Sequence, residues 1–453
     1  MFGVNTKKIP SCETDDASRI LDTRTQKQFQ SCTFSGFKKT DVRTQFMKSL
    51  LSDQTIEEAC FWSAQLLASG HLMDIWEVIL LVMSKHIHFG NPKLPLYVSL
   101  RFNQFRDYLL GQSSKTYIGR EEQLRNHIAC RELIAELCGV LCVSRKKQPR
   151  KTITIRDTDY DMFHLPKMLR ASTPNYIRLE SELFPKGVWT EYDPQELMVA
   201  SNELAYHVSK EGKDEQRAWY WMEWILGYLD RIQKTKQKGK AGKTEKESCI
   251  CAPRKHCLGN RELPKEILGH PIWLIWDILF NEASRQHHKK CLKVLNALLE
   301  LYGMKFTKGC VKKRKHLLYM AISMLCEPVP WDTPIIHDSY KSIVTMAKQN
   351  IHFVYKQLKR DEVVEEKDNY LFTNLVSTKE TSTKSRQPSS HHTSGNDIKK
   401  QSRSKQDRDQ ERNQYYPIPP QSHPPQYDMP ATPWERQQIA EMIIQRDDTR
   451  QFI

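Results

Sequence analysis

Between Asp41 and Leu358, apolar residues return at three- and four-residue intervals in segment after segment, and Pro or Gly separates the segments. That period is the signature of amphipathic helices sharing a core, and it predicts an all-α fold. Ala59, Trp62, Leu66 and Leu67 fall on one face of a helix that Thr55 and Glu58 open as a capping box and Gly70 closes. Met73 to about His86 carries Trp76, Ile79, Leu80 and Met83 in the same way, and Gly90-Asn91-Pro92-Lys93 breaks it. Further helices are expected over Leu96–Leu110, Arg120–Val143, Asp214–Ile232, Pro264–Ala283, Ser284–Tyr302, Lys312–Cys326 and Asp338–Leu358. Another follows Asp193 as cap, with Pro194 in the first helical position. Thr152-Ile153-Thr154-Ile155 is the one short strand pattern, and it has no second strand nearby to pair with. No spacing of about 20 to 50 residues repeats, so the helices form either an irregular multi-helix array or a two-lobed helical fold.

The flanks read differently. Residues 1–40 are polar and aperiodic, a loosely ordered arm. From about Ser377 to Thr432, Ser, Thr, Gln, Lys, Arg, His and Pro dominate. Such a segment buries too little apolar surface to offset an ordering entropy of about 1–2 kcal/mol per residue, and a disordered C-terminal tail is expected. Within the folded part we expect an N-terminal helical region over 41–156 and a central one over 157–232. A mobile basic linker with a Cys/His cluster over 233–262 and a C-terminal helical region over 263–360 follow, and a short terminal helix over 433–446 ends the chain.

The 17 Gly among 453 residues fit helices joined by short connections better than strands and tight turns. No run of 18 apolar residues exists, and Met1–Asp15 has no apolar core of the kind a signal peptide needs. The 12 Cys are scattered through helical patterns, which suits reduced thiols in a cytoplasmic or nuclear compartment. A formal net charge of +15 favours polyanionic partners, nucleic acid first.

That charge is concentrated in runs. Arg145, Lys146, Lys147, Arg150 and Lys151 form one, and Lys234 to Lys243 another. Lys289, Lys290 and Lys293 form a third, and Lys312, Lys313, Arg314 and Lys315 a fourth. The last two would merge if their consecutive helices packed antiparallel. Together these residues are the candidate nucleic-acid contacts.

The metal candidates are Cys249, Cys251, His256 and Cys257, four potential zinc ligands within nine residues. Their spacing departs from the usual paired C-x2-4-C arrangement, and adjacent His256 and Cys257 fit one tetrahedral centre poorly. His287, His288 and Cys291 are the nearest source of a second half-site. His86 and His88, set beside His71 and Asp74, read as polar helix-end residues. Trp219, Trp221 and Trp224 read as packing between helices, as do Trp273 and Trp276. In the tail, Pro424-Pro425-Gln426-Tyr427 matches the P-P-x-Y ligand pattern of WW domains, with Pro424, Pro425 and Tyr427 as the contact residues. No phosphate-cradling loop, nucleophile elbow, kinase set or H-E-x-x-H helix is present, so no catalytic residue is assigned.

Phe61–Glu77, Lys85–Leu94, Trp219–Ile225, Trp273–Asp277 and Gly309–Tyr319 resemble an uncharacterised protein family of nucleocytoplasmic large DNA viruses. The resemblance covers about residues 40 to 350. It carries no functional residues, and it implies a role in the infected host cell or in the virus particle. The sequence thus points to a non-enzymatic helical scaffold or adaptor that meets nucleic acid or a nucleoprotein assembly through basic surfaces. A structural component of a virus particle is the first alternative, and an enzyme whose site is assembled from distant residues is the second.

Overall fold

The computed structural model describes residues 16–24, 26–110, 124–161, 163–238, 251–254 and 265–364, and among them it is all-α, with no β-ladder. The helices are α1 (Lys39–Ser49), α2 (Ile56–Ala68), α3 (Leu72–Leu81), α4 (Leu94–Leu110) and α5 (Ile128–Val143). They continue as α6 (Leu165–Met168), α7 (Met198–Val208), α8 (Glu215–Lys238), α9 (Lys265–Leu268) and α10 (Ile272–Arg285). The last are α11 (Lys289–Tyr302), α12 (Cys310–Lys313), α13 (Lys315–Cys326) and α14 (Lys341–Leu358). One compact unit, Met1–Asp368, holds all of them, and a second, Asn369–Ile453, lies outside the described residues.

Helix α13 is the hub. Every residue from Leu317 to Cys326 is buried, and the helix packs against α3, α7, α8, α10 and α11. A helix apolar all round needs neighbours on all sides, and HLLYMAISMLC leaves it no wet face. Beside it, α10 buries Trp273, Trp276 and Phe280 completely, each edge or tilted against Tyr302 or another aromatic ring. Full burial of each such ring contributes roughly 1.5–3 kcal/mol. On the far side α14 lies on α5 and α2, with Val344, Ala347, Ile351, Tyr355 and Leu358 turned inward. Gly139 of α5 allows that approach, because a Cβ there would meet the Val344 Cα at 3.3 Å.

Several expectations are corrected. The second half of the N-terminal arm is packed. Ile20, Phe29 and Phe34 are buried, the two Phe rings stack 6.2 Å apart, and the Arg24 guanidinium covers both. Aromatic anchors without a period hold this segment, so the pattern does not show it. Thr55 makes no side-chain cap; its hydroxyl donates to the Ser49 carbonyl at 2.7 Å, and Ser52 caps the preceding 3-10 turn. The expected helix from Arg120 is broken at Asn126, and α5 starts at Ile128 with the His127 ring as cap. Asp193 does not cap a helix. Its buried carboxylate accepts from the Thr190 N–H and hydroxyl, the Ala252 N–H and the buried Arg254 guanidinium. The basic linker begins later than expected, since α8 continues to Lys238. Residues 152–155 are extended, but no strand pairs with them.

The irregular stretch between Asp157 and Asp193 is held from beneath by polar side chains of α7 and α10. The Glu203 carboxylate accepts the N–H groups of Arg170 and Ala171, Asn202 donates to the Thr173 carbonyl, and Asn281 to that of Leu179. Buried polar residues on a helix here replace the ladder that a non-helical segment lacks.

Candidate nucleic-acid interface

Helix α5 ends at Val143, and the chain then runs extended over residues 145–156 as a strap across the helical core. Lys146 starts it and points back. Its ammonium donates to the carbonyls of Leu141, Cys142 and Ser144 at 2.7, 2.7 and 2.9 Å, closing the open C-terminal end of α5. Burial pushes this amine down to about 8. Three points pin the strap. The Lys147 N–H donates to the His86 carbonyl at 2.6 Å. Arg150 forms an ion pair with Glu215 of α8 and sits 5.6 Å from the Trp219 ring centroid. The Ile153 N–H donates to the Tyr319 hydroxyl of α13 at 3.3 Å. Backbone and ring contacts thus fix the strap, and the side chains of Arg145, Lys147, Arg150 and Lys151 remain exposed. Gly90 makes the first crossing possible, since a Cβ at that position would collide with the Arg145 carbonyl oxygen.

Beneath the strap, α3 widens into a π-helical turn, Val82–Ile87, and His88 follows at φ 48°, in the left-handed region. A non-glycine residue there is uncommon, and π-bulges recur at functional sites. The turn carries Lys85 and His86, with His88 directly after it, and α13, whose first turn carries Lys315 and His316, packs against it. Burial pushes His88 down to about 4, with Arg150, Lys147 and His316 adding to the effect. Burial likewise pushes His316 down to about 4, with help from Lys85, Lys315 and His86. His86 is lowered too, by burial and then by Lys85 and Lys146. Cations from the π-turn, the strap and α13 therefore act on one another across a small volume. Glu215 answers Arg150, and Glu223 accepts from Lys315 at 2.9 Å and from Tyr319 at 2.6 Å. Three imidazoles whose charged form is disfavoured first by burial and then by neighbouring positive charge form a site that an incoming anion would relieve.

The expected basic residues separate into two kinds. Arg314 is 2 % exposed and structural: it donates to Glu77 at 3.0 and 2.6 Å and to the carbonyls of Tyr302 and Met304 at 2.7 and 2.5 Å. Lys312 is exposed and pairs with Asp230 at 2.8 Å, and Lys313 is exposed. Lys289, Lys290 and Lys293 are exposed but do not join Lys312–Lys315. Arg314 binds the C-terminal end of α11, whereas the chain leaving α13 returns to its N-terminal end, where Trp331 lies 5.6 Å from the His288 ring. The two helices are antiparallel, and that arrangement itself puts the two runs about 18 Å apart along α11 at 1.5 Å per residue. In the sequence, His86 and His88 read as polar helix-end residues, and neither Lys85 nor His316 is singled out. The Lys85–His88 tetrad was visible there, but nothing announced that residue 316 would reach it.

Next to the strap lies a cleft of about 740 Å³, with Arg145 and Lys147 among its lining residues and Asp53, Phe89, Asn91, His337 and Tyr340 also facing it. Asn91 is buried; its amide nitrogen donates to the Ile335 carbonyl at 2.8 Å, while its Oδ1 accepts no hydrogen bond.

Of the zinc candidates, Cys251 is buried and its N–H donates to the Gly269 carbonyl, while Cys249, His256 and Cys257 lie outside the described residues. Among the described residues no group of three His, Cys, Asp or Glu side chains is arranged to hold a metal ion. Cys291 is buried with its N–H capped by the His288 ring, and His287 is exposed. His71 and Asp74 are engaged apart from His86 and His88: the His71 ring bonds the Cys32 carbonyl, and Asp74 pairs with Arg43 and Lys39. Trp219, Trp221 and Trp224 are buried in the core. Pro424, Pro425 and Tyr427 lie outside the described residues, and no described helix is long and apolar enough to cross a membrane. No family model, curated protein or solved structure matches this chain.

Proposed function

We propose that the chain is a non-enzymatic helical scaffold that contacts nucleic acid through the strap and the cationic cluster beneath it. One observation carries this reading: a segment of exposed Arg and Lys is held extended over the helices by its backbone and by aromatic contacts. The exposed side chains of Arg145, Lys147 and Lys151 can reach phosphates, and the backbone is ordered before the ligand arrives, which lowers the entropic cost of binding. Phosphate contacts of this kind position a nucleic acid without reading its bases, so binding is expected to be largely indifferent to sequence.

Fluorescence anisotropy with a labelled oligonucleotide across a salt series tests the reading. Each lost phosphate contact reduces the slope of log affinity against log salt by about 0.9 on duplex DNA. Replacing Arg145, Lys147 and Lys151 together by Ala should therefore reduce the slope by roughly 2–3. Absence of binding by the unaltered chain at about 50 mM salt would remove the proposal.

A further inference from the structure

We propose that the cleft beside the strap is a pocket for one unpaired nucleotide, so that the preferred ligand is a single-stranded nucleic acid. This inference rests on the strap reading and adds the substrate class. About 740 Å³ lies in the range of small-ligand pockets, far from the open groove a duplex requires. Its lining joins the two chemistries a nucleotide needs. Arg145 and Lys147 bring exposed cations suited to a backbone phosphate. Phe89, His337 and Tyr340 bring aromatic rings, the last two 6.4 Å apart and edge-on. Stacking on such rings is open only to a base released from its duplex neighbours.

The experiment uses the full chain and three labelled ligands of about 12 nucleotides, a span a single-strand groove accommodates. They are oligo-dC, oligo-dT and a mixed-sequence duplex, all at about 50 mM salt. Oligo-dC and oligo-dT should both bind more tightly than the duplex. Tyr340→Ala should weaken oligo-dC about 5- to 160-fold, the range of a lost stacking contact, and leave duplex binding unchanged. An oligo-dC carrying 5-iododeoxycytidine should photocross-link to a peptide containing Phe89 or Tyr340, a result that does not depend on the variants folding. Equal affinity for strand and duplex, or cross-linking confined to the strap peptide, would overturn the pocket while leaving the strap reading intact. No binding to any of the three would overturn both.

Discussion

Arg314 stands in the densest basic run of the folded chain, and the structure predicts that it behaves unlike its neighbours. Replacing it with Ala removes a guanidinium that donates to Glu77 twice and to two main-chain carbonyls, those of Tyr302 and Met304. None of these acceptors gains another donor from a methyl group, and the side chain is buried, so water does not readily replace it. Removing one partner of such a buried pair costs about 3–5 kcal/mol, because the other charge is left uncompensated. Spread over the unfolding entropy of a unit of this length, a loss of about 4 kcal/mol lowers the melting temperature by roughly 5 °C. Lys313→Ala, an exposed change in the same run, should move it by less than about 1 °C, as surface substitutions usually do. Calorimetry or thermal circular dichroism of the two variants beside the parent decides the matter, and anisotropy on the same samples gives the second readout. Arg314→Ala should retain salt-dependent oligonucleotide binding at a temperature where it is folded. A melting temperature equal to that of the parent, together with a reduced salt slope, would refute the structural role and return Arg314 to the binding surface.

Other outcomes follow from the same geometry. Bound phosphate should raise the pKa values of His88 and His316 from about 4, so affinity should be flat above the bound values and rise as the pH falls through them towards about 4. Equal affinities at about pH 7 and pH 5 would show that these imidazoles do not face the ligand. Gly90→Ala should push the Arg145 carbonyl away and displace the strap, weakening oligonucleotide binding while far-ultraviolet circular dichroism stays helical. Unchanged affinity would mean the strap's position is irrelevant to binding. A peptide spanning Tyr415 to Met429 should bind WW domains and lose that binding on Tyr427→Ala, where the aromatic anchor disappears; equal binding of both peptides would make the motif a coincidence.

The helices were legible because they obey a local rule. The spacing of Trp76, Ile79, Leu80 and Met83 says helix wherever those residues end up, and each is buried. Run composition showed that residues 145–151 are basic, but it did not separate Lys146, folded back onto α5, from exposed Lys147 one residue later. That separation depends on where the carbonyls of α5 point after the helix ends. Arg314 illustrates the same limit over distance, since its partner Glu77 is on another helix and no periodicity links the two. The histidine cluster has the same cause: His88 and His316 meet because α13 packs on the π-turn, a tertiary event. The packed part of the N-terminal arm escaped notice for the opposite reason, as two Phe rings and an Arg hold it without any repeating pattern.

The meeting of the unit's two ends bears on how the chain is made. The Thr23 N–H donates to the Val363 carbonyl at 3.0 Å, and the Val363 N–H donates to the Asp22 carboxylate at 2.9 Å. Arg131 of α5 lies 3.7 Å from the Tyr355 ring centroid of α14. On a ribosome adding about 5–20 residues per second, α2 and α5 emerge many seconds before α14 exists to cover them. During that interval their inner faces are exposed, and the arm around Asp22 has no Val363 to hold it. The N-terminal helices must therefore wait for nearly the whole unit to be translated, a delay during which a chaperone or a partner chain would find its longest opportunity to bind. The same adjacency makes the unit a natural subject for circular permutation, because a short linker from residue 363 to residue 22 would join neighbours, and a new start could be cut elsewhere.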